Sequence, residues 1–124
     1  MNNKKKIKHF YEVVVSEDLF DELPLYLAEE HVDEICQHLM AVRNTYPDYT
    51  MSIIRQFEDG EYVVSEFVMR GTHSGDFLGI TPTNKVIEIT GINIDKVVNG
   101  KIVEHGGAAN TFESFLENGL IKTV

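Results

Sequence analysis

Two histidines stand where proton transfer could be carried out. His73 follows the β-rich run from Tyr62 to Met69 in the same alternation phase as Val63, Ser65, Phe67, Met69 and Gly71, so its ring shares a face with apolar side chains. An imidazole with a reference pKa of about 6.5 can take or give a proton at neutral pH. The competing reading is structural, with the ring nitrogens bonded to the loop that follows. His105 lies in the last expected strand, between Val103 and Gly107. If it points inward it converges with His73 on one ligand. If it points outward it is a surface histidine, and a one-residue change of register decides between the two.

Other polar residues are weaker candidates. Asn93 and Asp95 share one strand phase, and Glu66 and Glu88 sit within otherwise apolar strands. On a sheet with one solvated face such carboxylates are expected to face water. Arg70 shares the phase of Glu66, which favours a cross-face ion pair for both. His9, His31 and His38 fall in helical segments without ligand spacing, and there is no HExxH, CxxC, P-loop or GxGxxG pattern, so no metal site is expected. Cys36 lies on a helical stripe and reads as a core residue.

The elements that must position these groups follow from periodicity. Ile7, Phe10, Tyr11, Val14 and Val15 recur at i, i+3, i+4, i+7 and i+8, predicting a helix from roughly Lys4 to Val15. Ser16 is placed to cap a short second helix starting at Glu17-Asp18, with Leu19, Phe20 and Leu23 inward and Pro24 interrupting it. A third helix is capped by Asp33, carries Ile35, Leu39, Val42 and Tyr46 on one side, and ends before Pro47. Strands are then expected through Tyr49, Met51 and Ile53, over Tyr62–Met69, over Val86–Val98 and from Ile102 to about Ala108, with turns at Asp59-Gly60 and Asn99-Gly100. Residues 74–84 form a long connection. Phe112–Asn118 reads as a short final helix stopped by Gly119, and Asn110, three residues before Glu113, suits its N-cap.

Helices first and antiparallel strands afterwards argue for an α+β fold with helices on one face of a sheet, as one domain over residues 1–124. The chain has 124 residues, 43% hydrophobic content and a net charge of −9. That charge disfavours nucleic acid and anionic membranes as partners, because binding phosphate needs clustered Lys and Arg; Lys4-Lys5-Lys6 reads as a solvated helix start. One cysteine excludes an internal disulfide, no apolar run approaches the ~20 residues that span a bilayer, and charge at Lys8 and Glu12 breaks any signal-like core. A cytoplasmic protein is expected.

The stretch Gly71-Thr72-His73-Ser74-Gly75-Asp76-Phe77-Leu78-Gly79-Ile80-Thr81-Pro82-Thr83, with Gly91-Ile92-Asn93-Ile94 and Asn99-Gly100-Lys101-Ile102-Val103-Glu104-His105, resembles the signatures of the SnoaL-like polyketide cyclases, or ester cyclases, of the NTF2-like superfamily. Phe10-Tyr11-Glu12 and Tyr46-Pro47-Asp48-Tyr49 extend the likeness. It implies a cone in which a curved antiparallel sheet wraps around the N-terminal helices and encloses a pocket. It also implies a hydrophobic, carbonyl-bearing small-molecule ligand, a homodimer, and proton abstraction next to a carbonyl followed by intramolecular aldol closure, without metal or organic cofactor. Carried over residue by residue, the catalytic candidates are His73, His105 and Asn110, and the ligand-binding candidates are Phe10, Tyr26, Met69, Phe77 and Asn93.

Two departures from the pattern bear on function. Leu27–Asp33 runs straight into the next helix, which implies a shortened pocket lid. Where relatives carry tryptophan after the histidine and an aspartate further on, this chain has Gly106 and Asn110. An amide can hold an enol oxygen but cannot be the base. A binding or sensing module without catalysis, or a self-associating domain, are the alternatives.

Overall fold

A computed structural model describes residues 2–122; Met1, Thr123 and Val124, at the limits of the expected 1–124 domain, lie outside them. The first amphipathic stripe forms a helix in two registers. α1 covers Asn3–His9, with the Asn2 side chain accepting from the Lys5 N–H, and continues as a π-helical segment over Phe10–Val15. All five stripe residues are buried. Ser16 caps no second helix. Its hydroxyl donates to the Tyr11 carbonyl at 2.9 Å and accepts the Met51 N–H at 2.9 Å, tying the π segment to the sheet. The short helix that follows is a 3-10 turn over Phe20–Leu25 that contains Pro24 rather than ending before it. α2 spans Glu29–Thr45, one turn earlier than the Asp33 cap would place it, and Tyr46 closes it.

The sheet is an antiparallel meander in the order β1-β2-β3-β4, made of Thr50–Asp59, Tyr62–Thr72, Val86–Val98 and Lys101–Ala109. α3 covers Thr111–Glu117. The strand limits agree with the alternation to within a few residues because one face is buried: Val63, Ser65, Phe67, Met69, Ile87, Ile89, Asp95 and Val97 all face the core. Two bulges break the ladder. One falls between Ile53 and Arg55, where the Glu12 carboxylate accepts the Ile53 N–H at 2.8 Å. The other leaves Val103 without a partner, since Val97 pairs with Ile102 but Lys96 pairs with Glu104. Bulges bend and twist a strand locally, and with them the sheet curls over the helices into an α+β cone.

The outer face carries two cross-strand ion pairs. Arg70 pairs with Glu88 across β2 and β3, and Glu66 with Arg55 across β1 and β2, so each of the two residues has a cross-face ion pair. Strand neighbours on one face lie closer across the ladder than along it, which favours the cross-strand partner. Among the described residues no helix is long and apolar enough to cross a membrane.

Candidate functional site

Between α2, the π segment and the inner sheet face lies a hollow of about 400 Å³, walled mainly by apolar side chains such as Phe10, Leu39, Met51, Phe67, Met69 and Ile89. Among the described residues its polar lining consists of Tyr11, His38, Tyr46, Tyr49, Asn93, His105 and Thr111, with no Lys, Arg, Asp or Glu. His38, His105 and Ala109 are solvent-exposed lining residues and mark its mouth, between α2 and β4.

The chemistry concentrates at one corner. Asp95 is fully buried, and its two carboxylate oxygens have separate partners: Oδ2 accepts the Tyr11 hydroxyl at 2.8 Å and Oδ1 accepts His105 Nδ1–H at 2.7 Å. Tyr11 Oη also approaches His105 Nδ1 at 3.3 Å, closing a triangle. Each member is delivered by a local irregularity or phase. Tyr11 comes from the π-helical segment, whose widened turn is uncommon and recurs at functional sites. Asp95 and Asn93 come from the inner phase of β3. His105 comes from β4 just beyond the Val103 bulge.

That bulge decides which way His105 faces. Ile102 is inward; strict alternation would turn Glu104 inward as well and His105 outward. The extra residue shifts the phase, so His105 sits opposite Asp95 on the inner face. Donation from Nδ1 to Asp95 fixes the neutral ring in the Nδ1–H tautomer and leaves a lone pair on Nε2. The bond to Asp95 raises the His105 pKa, partial burial opposes this, and the Asp95 charge adds to the rise; the net direction is upward from the usual histidine value. Burial, then the charge and hydrogen bond of Asp95, push the Tyr11 phenol well above its ordinary range, so it stays a donor. An imidazole on the lining of the hollow, a carboxylate that fixes its tautomer and a phenol bonded to that carboxylate are thus brought together.

Of the residues singled out from sequence, His105, Asn93, Phe10, Met69 and Phe77 line the hollow. Asn93 is bonded to no described residue through its carboxamide, and its partner on β4 is Gly107, which has no side chain to fill the space beside it. Three others are placed elsewhere. His73 is fully buried, but its Nδ1 accepts the Thr83 N–H at 3.3 Å and lies 3.0 Å from the Thr83 hydroxyl, pinning the loop after β2. Its ring is 6.3 Å, centroid to centroid, from Tyr46, which does line the hollow, and the two histidines do not converge. Asn110 occupies the N-cap position of α3 without a side-chain cap; its Oδ1 accepts the Thr90 N–H at 2.8 Å and extends the β3 ladder. Tyr26 packs against Phe10 at 5.5 Å and His9 at 6.1 Å, outside the lining.

Asp95, expected to face water, is the buried acid of the site, and Tyr11, read as part of an apolar stripe and of the family likeness but given no role, is its partner. A signal for Asp95 existed, since it shares a phase with Ile87, Ile89 and Val97. The opposite phase of β3 offers Val86, Ile92, Ile94 and Val98, so hydrophobicity alone did not choose the inner face. Among the described residues no three His, Cys, Asp or Glu side chains gather as metal ligands.

Residues 2–116 match the family model of the SnoaL-like polyketide cyclases. No curated protein matches the sequence significantly. Among solved structures, IdmH of Streptomyces antibioticus, a proposed polyketide cyclase, superposes with a TM-score of 0.84 at 23% identity, over 96% of this chain and 99% of that one. TsrD of Streptomyces laurentii gives 0.85 at 16% identity, over 95% of each chain. AclR of Streptomyces galilaeus, a proposed hydroxylase, gives 0.80 at 16% identity, over 98% of this chain and 83% of that one. At such identities the likeness to these structures is one of fold, and the fold alone does not carry an activity.

Proposed function

From the premise that the chain belongs to the SnoaL-like polyketide cyclase family, we propose that it encloses an uncharged, apolar, carbonyl-bearing small molecule and removes a proton from the carbon beside the carbonyl, with His105 as the base. The observation that carries this reading is the Tyr11–Asp95–His105 triangle at the mouth of an otherwise apolar hollow. A hollow of about 400 Å³ is within the range of small-molecule sites. A lining without Lys or Arg, in a chain of net charge −9, holds no permanent cation to offset a carboxylate or phosphate.

In this reading His105 Nε2 takes the proton, and the C–H electron pair moves into the enolate. The imidazolium that forms keeps its Nδ1–H bond to Asp95, whose negative charge offsets the new positive one. The oxyanion role that resemblance assigned to Asn110 passes to Asn93, which lines the hollow and whose carboxamide has no hydrogen-bond partner among the described residues. If a second carbonyl of the same molecule lies within reach, the enolate carbon bonds to it and its oxygen takes the proton from His105, closing a ring. Otherwise the proton returns to carbon.

The test needs only the first half of this sequence. Apolar 1,3-dicarbonyl compounds incubated with the protein in D2O are expected to take up deuterium at the central carbon faster than in buffer. His105→Ala removes the acceleration. Tight binding with no His105-dependent exchange would make the protein a capture module instead.

The outer sheet face supports self-association as a property of the same protein. Phe57, Val64, Ile94 and Gly106 form one row across all four strands, and Phe57, Ile92 and Ile94 are exposed. A homodimer through this face is expected to dissociate in Ile94→Glu, read by light scattering after size exclusion. A wild-type monomer would refute it.

A further inference from the structure

The face on which His105 sits is set by a backbone irregularity, and a side chain far away in sequence holds that irregularity in place. Val103, the bulged residue of β4, has no partner on β3. Its carbonyl accepts a hydrogen bond from Nε2 of His31, the third residue of α2, at 2.9 Å. The chain on either side of the bulge is held as well. Ile102 N–H donates to the Tyr26 carbonyl at 2.8 Å, and Ala28 N–H donates to the Ile102 carbonyl at 3.0 Å, so Leu27 lies as a one-residue parallel bridge beside Ile102. The segment entering α2 therefore grips β4 at Ile102 by backbone and at Val103 by an imidazole.

From this we infer that His31 is a positioning residue for His105: its bond to the Val103 carbonyl stabilises the bulge that turns the base toward Asp95 and the hollow. A bulge leaves backbone groups outside the ladder, and a carbonyl released from pairing must find another donor. His31 supplies it from the helix side. Without the bulge, strict alternation would bring Glu104 inward beside Asp95, setting two carboxylates together, and would send His105 to the outer face. An unbulged β4, shifted by one residue of phase, would undo the site, and His31 favours the observed arrangement that completes it.

Calling His31 a positioning residue for catalysis rests on His105 being the base, as proposed above; the link between His31 and the face of His105 does not. The test is built to separate them. In the wild-type protein, long-range nitrogen–proton correlation NMR at high pH is expected to show neutral His31 as the Nε2–H tautomer; a bare Nε2 would overturn the inference without any variant. His31→Leu removes the donor while filling similar space. The His105 titration is expected to fall back from its raised position toward the ordinary histidine value, as the ring leaves Asp95. His31→Gln, which can still donate from its amide, is expected to restore at least part of the raised titration. An unchanged His105 titration in His31→Leu, or equal changes in the Leu and Gln variants, would overturn the inference. In the deuterium-exchange assay His31→Leu is expected to lower kcat at least tenfold with KM changed less than threefold. If the titration moves as stated but no variant affects exchange, the proposed function fails and the structural link stands.

Discussion

Replacing Asp95 by asparagine keeps the shape of the buried side chain and removes the charge on which the triangle depends. The carboxylate accepts from Tyr11 at 2.8 Å and from His105 at 2.7 Å. Asparagine retains one acceptor, so its amide must face either the Tyr11 hydroxyl, which can rotate to accept, or His105 Nδ1, which can accept only as the opposite tautomer. Hydrogen bonds to a charged partner contribute about 1.5–3 kcal/mol each, against about 1 kcal/mol for a neutral pair. Relief of a buried charge returns part of the difference, leaving a net destabilisation of about 2 kcal/mol.

The His105 pKa is raised chiefly by its bond to Asp95, with the Asp95 charge adding to it and burial opposing it. Asp95→Asn removes both raising causes and leaves the opposing one. The His105 pKa is then expected to drop to the ordinary value of about 6.5 or below. The stability consequence has a definite sign. A histidine whose folded pKa exceeds its unfolded one adds stability that is fully present below about pH 6.5 and is lost as pH rises through the folded pKa. Wild type should therefore lose stability relative to Asp95→Asn across that interval. Proton-detected NMR titration of the ring and urea midpoints at several pH values supply both readouts. In the exchange assay the tautomer that faces Nε2–H into the hollow should reduce kcat by on the order of 10²-fold or more. A His105 titration unchanged in Asp95→Asn would refute the triangle as the origin of the shift.

Three further outcomes are expected. Tyr11→Phe leaves the ring packing and removes a donor from Asp95, so its carboxylate is freer to act on His105; the His105 pKa should rise further by NMR titration, with a stability loss of about 1–2 kcal/mol in urea melts. His73→Ala should cost about 2–4 kcal/mol, because it empties a fully buried site and frees the loop held through Thr83, yet leave the His105 titration where it was. Gly107→Ala would place a Cβ 2.1 Å from the Ile92 carbonyl oxygen, at a backbone φ of +153°; since ladder backbone cannot swing aside, a loss of about 3 kcal/mol and a fall in Tm of roughly 10 °C are expected by calorimetry.

Much of the architecture was legible in residue order. The stripe from Ile7 to Val15 specified a helix, and the period-two runs around Val63–Met69 and Ile87–Val97 specified strands. Asn99-Gly100 specified the turn between β3 and β4, where both residues take positive φ. These are local properties: backbone preference and burial of one face act within a few residues, so pattern suffices. The glycine-rich stretch after His73 and the Glu104-His105 signature also marked the family correctly.

The site was legible only in part, because its decisive terms are not local. Whether Asp95 or Ile94 faces the core depends on which face of β3 the helices cover, and both phases are apolar enough to be buried. The inward turn of His105 depends on an extra residue at Val103, held by His31 on α2, and no pattern within β4 announces it. His73 and Asn110, the residues whose sequence context argued most directly for chemistry, are occupied by Thr83 and Thr90 because those backbone groups need partners where they lie. Sequence by itself determined which segments form helices and strands and which family they compose; packing of helices onto the sheet decided which acid is buried, which histidine meets it and which amide lines the hollow, since a buried charge must be paired and only the folded chain brings its partners within reach.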